Sequence, residues 1–303
     1  MRRGLRRALT GLAALALVGA GVAWWLTAPD PLSAAELEGI TGDAGRGEVL
    51  FAAAGCASCH EAPEAEATDR PVLAGGEAFV SDFGTFYAPN ISPSTLGIGE
   101  WSDAQVINAV MRGVDNEGRH LYPALPYAAY VKAEVQDVAD IVAFIRTLPP
   151  SSAESLPHDV GFPFNVRRGV GAWKLLFMRD GWVLGGDLLP EAERGRYLVE
   201  ALAHCGECHT PRNALGGLVT SEWMGGAENP SGEGRIPAID PGHLDWSEAD
   251  IAQMLDSGFT PDFDVVGGPM AEVVRNGTSR LSDEDRAAIA AYLKAIPALS
   301  SDP

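Results

Sequence analysis

The sequence predicts an all-α protein: two tandem helical domains behind an N-terminal transmembrane helix. Two observations carry that prediction. A long uncharged run follows a cluster of arginines, and the rest of the chain repeats one series of helix signals while strand signals stay weak throughout. At 303 residues the chain has room for two domains of ordinary size, each with its own core.

Arg2, Arg3, Arg6 and Arg7 precede the run Ala8 to Ala28, rich in Ala, Leu, Gly and Val, with Trp24-Trp25 near its end. As a helix these 21 residues can cross a hydrocarbon core of about 30 Å. The arginines are expected in the cytoplasm and the tryptophans at the far interface. A cleaved signal peptide is the competing reading, but cleavage sites favour A-x-A, and this run closes on Leu26-Thr27-Ala28 before Pro29. Residues 1–28 are read as a retained anchor, single-pass in a bacterial inner membrane, with the remainder in the periplasm. Residues 29–41 read as a short tether.

Domain 1 is placed at 42–150. Gly45-Arg46-Gly47-Glu48-Val49-Leu50-Phe51 opens a helix with its apolar residues near one face. Trp101-Ser102-Asp103-Ala104-Gln105-Val106 opens a second one, with Ser102 as N-cap and Gly113 as its close. Val138 to Ile145 forms the last, stopped by Pro149. A linker follows at 151–190. Its stretch Phe162 to Trp182, with Phe162, Phe164, Trp173, Phe177 and Trp182, is too aromatic for a free tether. It is expected to pack on one or both domains, or to form an exposed docking patch.

Domain 2, at 191–303, repeats the series. Gly195 to Val199 opens the first helix, and Trp246-Ser247-Glu248-Ala249-Asp250-Ile251 the middle one, closed by Gly258. Arg286 to Leu293 makes the last, stopped by Pro297.

All four cysteines fall in two copies of one pattern, Cys56-Ala57-Ser58-Cys59-His60 and Cys205-Gly206-Glu207-Cys208-His209, one in each half. Paired thiols with a trailing histidine attach a c-type haem: the thiols bond to the two vinyl groups and the histidine ligates the iron. Disulfides, a zinc site or a thioredoxin-like redox pair are the alternatives. Zinc would want further Cys or His at finger-like spacing, and a redox pair does not need the histidine twice. Two covalently bound haem c groups are therefore expected, on Cys56, Cys59 and His60 and on Cys205, Cys208 and His209.

A second axial ligand completes an electron-transfer haem, and methionine on a loop is the usual one. Met270, in Gly267-Gly268-Pro269-Met270, stands 12 residues past Gly258 and is the expected sixth ligand of the second haem. Twelve residues past Gly113 stands Leu125, which has no lone pair to give. Met111, His120, Tyr122, Tyr127 and Lys132 are the other donors nearby, with His120 the best chemically. An open five-coordinate iron, a His/His pair and another ligand all remain available to the first haem.

Beyond the anchor the chain has 18 basic residues against 41 acids, a net charge of −23. Such a surface repels nucleic acid and anionic headgroups, and suits either basic partners or plain solvation.

The strings Tyr87-Ala88-Pro89-Asn90-Ile91-Ser92-Pro93, Gly118 to Tyr127, Phe162-Pro163-Phe164-Asn165 with Trp173-Lys174-Leu175-Leu176-Phe177, Cys205 to Asn213 and Gly267 to Val274 resemble the haem (cytochrome c) subunits of membrane-bound alcohol and gluconate dehydrogenases. The resemblance covers nearly the whole exported chain. It implies cytochrome c-like all-α domains that pass electrons from a periplasmic dehydrogenase toward quinone or a terminal oxidase. There are two departures: those subunits commonly carry three haems, and they typically have methionine where Leu125 stands. The leading expectation is a membrane-anchored dihaem carrier with no substrate chemistry of its own. Its donor is a dehydrogenase or other protein and its acceptor a cytochrome, quinone or oxidase. The rival class is a haem enzyme of peroxidase or thiosulfate-oxidising type, or a gas sensor, working at an open first haem. Only scattered groups such as His120 and Glu117 stand near that loop to support it.

Overall fold

The computed structural model describes residues 2–63, 68, 70–230 and 234–300. Helix α1 (Arg2–Leu26) is long and apolar enough to cross a membrane, a test that a signal sequence also passes, and none of its apolar window is buried against protein. Its end is fastened to the first half. Thr27 O accepts from His120 Nε2 at 2.9 Å, and Arg168 donates to Trp24 O and, at 3.1 Å, to Thr27 Oγ1. Residues 29–41 lie strapped against the same half. Leu32 N donates to Asn108 Oδ1 at 2.6 Å, Asp30 pairs with Arg112 at 2.5 Å, and Leu32, Leu37 and Ile40 pack on the core.

The first half contains α2 (Ala44–Ala53), α3 (Cys56–His60), the ribbon β1 (Ala78–Ser81) and β2 (Gly84–Tyr87), α4 (Asp103–Arg112), α5 (Tyr127–Tyr130) and α6 (Val135–Ile145). Helix α7 (Arg168–Phe177) lies between the halves. The second half contains α8 (Pro190–Tyr197), which runs on into a π turn at Leu198–Leu202, then α9 (Gly206–His209), the ribbon β3 (Ala227–Glu228) and β4 (Arg235–Ile236), α10 (Glu248–Ser257), α11 (Gly268–Asn276) and α12 (Asp283–Ala295). The fold is mostly helical; the two small antiparallel ribbons are additions that weak strand signals did not announce.

The repeat is built from equal local devices. Ser102 and Gln105 form a capping box at α4, and Ser247 and Asp250 form one at α10. Gly113 (φ 58°) and Gly258 (φ 75°) close these helices in the left-handed region that glycine enters without a Cβ penalty. The first helix of each half crosses the last, α2 on α6 and α8 on α12. The crossing is backbone on backbone: a Cβ at Gly47 would lie 1.9 Å from Asp140 O, and one at Gly195 1.9 Å from Ala288 O.

Asp140, fully buried in α6, holds the start of α2. Its carboxylate accepts from Asp43 N at 2.7 Å, Arg46 Nε at 2.7 Å and Gln136 Nε2 at 2.8 Å. Burial pushes its pKa up, but the bonds from Arg46, Asp43 and Gln136 outweigh that and hold it below the usual carboxylate value. Asp140→Ala is expected to cost about 2 kcal/mol at neutral pH, because the Asp43 amide loses its acceptor. A depressed carboxylate stabilises above its unfolded pKa and loses that contribution as pH falls through the lowered folded value. Denaturant unfolding at pH 7 and again below pH of about 3 should therefore show the gap between variant and parent shrinking in acid.

The π turn absorbs an extra residue. Gly47 to Cys56 is nine steps and Gly195 to Cys205 is ten, and the surplus is taken up where Ala203 N reaches back to Leu198 O at 2.7 Å. Within it Glu200 is buried and accepts from Val183 N at 2.5 Å, Leu184 N at 3.0 Å and Tyr292 Oη at 2.6 Å. The insertion thus ties the linker to the second core. Other linker ties reach both halves: Trp173 Nε1 donates to Leu215 O at 3.0 Å, and Lys174 Nζ to Arg112 O at 2.6 Å and Gly113 O at 2.8 Å.

The halves exchange equivalent contacts, α5 with the π turn and α11 with α3, and a single apolar cluster runs through both.

Candidate haem centres

In each half a short helix ends on the histidine of the motif, α3 beginning at Cys56 and α9 just after Cys205, and the chain then folds back. Gly75 N donates to His60 O at 2.7 Å and Gly226 N to His209 O at 2.8 Å, both glycines in the left-handed region at φ 72° and 78°. The rings are aimed by distant carbonyls. His60 Nδ1 lies 2.9 Å from Pro89 O, and His209 Nδ1 lies 2.8 Å from Pro237 O. A carbonyl can only accept, so Nδ1 carries the proton and Nε2 keeps a lone pair for a metal. Desolvation lowers both imidazole pKa values against the opposing pull of those carbonyls, which favours the neutral, ligating form. Sequence reasoning had missed Pro89 and Pro237. Their signal was the related pair Ala88-Pro89-Asn90-Ile91 and Ile236-Pro237-Ala238-Ile239.

None of the four cysteines pairs with another in a disulfide; Cys56, Cys59 and Cys205 are half-buried and Cys208 is exposed. Desolvation pushes Cys56 and Cys205 up to about 12 and Cys59 up to about 11, and it raises Cys208 as well. A redox pair needs the reverse, a thiol whose pKa is lowered toward neutrality. Zinc fares no better, since among the described residues no three His, Cys, Asp or Glu side chains converge as a ligand set. What remains is a pair of protonated thiols and a neutral imidazole on one short turn, partly open to the outside where a flat macrocycle could cover them. That donor set fits a covalent haem in each half.

The loops after α4 and α10 match bond for bond. Leu121 N donates to Gly113 O at 2.7 Å and Val266 N to Gly258 O at 2.9 Å; Asp115 N donates to Arg119 O at 2.9 Å and Thr260 N to Asp264 O at 2.8 Å. One register, 145 residues, relates every partner, and it carries Leu125 onto Met270. Met270 is not on the loop expected from Gly267-Gly268-Pro269; it sits in the first turn of α11, half-buried against the core. Proline at the head of a helix starts it rather than breaking it. Leu125 also packs on the core.

Four of the other donors near Leu125 are committed elsewhere. Met111 is a core residue, Tyr127 Oη donates to Leu121 O at 3.2 Å, and Lys132 Nζ donates to Ala128 O at 2.9 Å. Tyr122 is buried against Phe86, ring centroids 5.1 Å apart. His120 is buried, with Nε2 on Thr27 O and a bare Nδ1.

The two attachment turns are joined through His204 and Tyr130. His204, next to Cys205, packs edge-on against Tyr130 at 5.4 Å, while Tyr130 Oη donates to Ala54 O at 2.7 Å, two residues before Cys56.

Residues 44–149 match the family model for cytochrome c, and residues 190–293 match that for cytochrome c oxidase, cbb3-type, subunit III. A protein of Cereibacter sphaeroides described as "Diheme cytochrome c-type" is 55% identical over 97% of this chain and 100% of its own length. The fructose dehydrogenase cytochrome subunit of Gluconobacter japonicus is 39% identical over 94% of this chain. The gluconate 2-dehydrogenase cytochrome c subunit of Pantoea cypripedii is 33% identical over 84%. The matches cover 58% and 59% of those two dehydrogenase subunits, so this chain spans only part of their length.

Proposed function

This chain belongs to the dihaem c-type cytochromes, and from that premise we propose that it is a membrane-anchored periplasmic carrier moving electrons from a dehydrogenase toward the respiratory chain. It carries two covalent haem c groups, each of which supplies a one-electron iron couple when bound. In this reading Cys56, Cys59 and His60 hold the first and Cys205, Cys208 and His209 the second. Pro89 and Pro237 fix the imidazole tautomer, and Met270 supplies a soft sixth ligand to the second iron. The observation that carries the reading is the pair of attachment turns, each with a carbonyl-oriented histidine and joined through His204 and Tyr130. The dehydrogenase donor is supported by the cytochrome-subunit relatives, and the anchor by the length and composition of α1.

Two measurements test it. The intact mass of the isolated protein should exceed that of the polypeptide by two porphyrins, and Cys205→Ser with Cys208→Ser should remove one of them. Low-temperature EPR of the oxidised protein then separates the functional classes. Two low-spin signals belong to a carrier; a ferric high-spin signal that shifts on adding cyanide moves the protein to the enzyme or sensor class, with Leu125 as the reason.

A further inference from the structure

We propose that the segment Phe162–Leu176 lies on the bilayer surface as a second membrane contact beside α1, setting how the haem domains stand over the membrane. The proposal rests on α1 being a retained anchor.

The first observation is one of charge. Between Asp159 and Asp180 there is no acid, while Arg167 and Arg168 lie within the segment and Arg179 just beyond it, in an exported chain whose net charge is −23; Lys174 is turned inward onto Arg112 O and Gly113 O. A basic and apolar island in so acidic a protein suits the boundary between headgroups and acyl chains.

The second observation is exposure. Phe162 is 83% exposed, and Phe164, Val166, Leu175 and Leu176 lie between 45% and 54%. The outward side of α7 is Gly169, Ala172, Leu175 and Leu176, without a charge, while Val170 and Gly171 face inward. A helix that faces water is ordinarily polar on that side. So many exposed apolar side chains on one segment mark a contact.

Position decides which contact. The inner face of α7 rests on the end of α1: a Cβ at Gly171 would lie 2.2 Å from Thr27 O, and the Arg168 guanidinium sits 4.1 Å over the Trp24 ring. That end, with Trp24 and Trp25 exposed, is where an anchor leaves the hydrocarbon. A protein partner could cover the same residues anywhere on the surface. A bilayer accounts directly for an apolar segment fastened through Arg168 and Gly171 to the exit of the anchor. The segment is also tied to both halves, through Arg167 to His120 O at 2.8 Å, Lys174 to Gly113 O and Trp173 to Leu215 O, so seating it fixes both haem domains.

In the holoprotein the four native thiols are consumed by the haems, so a cysteine placed at Phe162, Leu176 or Leu12 is the single site for a bimane label. The full-length holoprotein is reconstituted in phosphatidylcholine–phosphatidylglycerol vesicles with and without nitroxide-tagged lipid. The expected result is a roughly two-fold loss of emission at both Phe162→Cys and Leu176→Cys when tagged lipid is present, as for a face buried at the headgroup–acyl boundary. Emission at these two sites that ignores the tagged lipid overturns the proposal and leaves a protein as the occupant. The Leu12→Cys label says whether the anchor reading falls with it: quenched there, α1 is in the bilayer and only the second contact is wrong; unquenched or missing, both are wrong.

Discussion

Met270→Leu is expected to turn the second haem from low-spin to high-spin and to lower its reduction potential, with the signals of the first haem unchanged. Leucine nearly matches methionine in volume, so a half-buried swap at the head of α11 should cost less than about 1.5 kcal/mol and leave the fold intact. What it removes is the thioether lone pair, which binds ferrous iron better than ferric and so holds the potential up. The loop hydrogen bonds that place Met270 are backbone bonds, Val266 to Gly258 and Thr260 to Asp264, and the substitution touches none of them. The reciprocal change, Leu125→Met, puts a sulfur on the equivalent backbone of the first half and is expected to make that haem low-spin if it begins high-spin. EPR and a potentiometric titration of both variants read the outcome. An unaltered second haem in Met270→Leu would refute the ligand assignment.

The parts of this site that could be read from sequence are those encoded within a few consecutive residues. The two attachment motifs, the serine caps at Ser102 and Ser247 and the closing glycines at Gly113 and Gly258 are such signals, and each lies where local chemistry puts it. What escaped depends on residues far apart in the chain. Pro89 orients His60 from 29 residues away and Pro237 orients His209 from 28, and no local pattern links a histidine to a carbonyl at that distance. The π turn shows only when the Gly47–Cys56 and Gly195–Cys205 spacings are set side by side, and its buried Glu200 reads in isolation as an ordinary surface acid. On α2, Val49 and Phe51 read as one apolar face, yet Val49 is 46% exposed and Phe51 only 5%. The crossing with α6 at Gly47 selects which side of that helix faces inward, and a crossing is a tertiary fact. In the sequence Met270 looks like a loop residue because Gly267-Gly268-Pro269 resembles a break, although a proline one residue into α11 fits a helix start equally well.

Gly195→Ala is expected to destabilise the second half by roughly 3 kcal/mol or more, and Gly47→Ala the first half by a similar amount. The added methyl would lie 1.9 Å from Ala288 O, 2.6 Å from Ala288 C and 2.7 Å from Tyr292 Cβ. Two of those atoms are backbone, so no rotamer relieves the clash and α8 must lift off α12. Lifting carries the π turn with it and loosens Glu200 from Tyr292 Oη, whose partner Trp223 Nε1, at 3.0 Å, covers the attachment turn at Gly206. The damage should therefore reach the haem: denaturant unfolding followed in the Soret band should show the second haem losing its sixth ligand at a lower midpoint than in the parent. Gly169→Ala is the control, because a Cβ there meets nothing within 4 Å, and alanine inside a helix should be neutral or stabilising by about 0.5–1 kcal/mol. If Gly195→Ala and Gly169→Ala unfold alike, the two helices do not cross through that glycine, and the fit of α8 into α12 that positions Cys205, Cys208 and His209 has to be drawn differently.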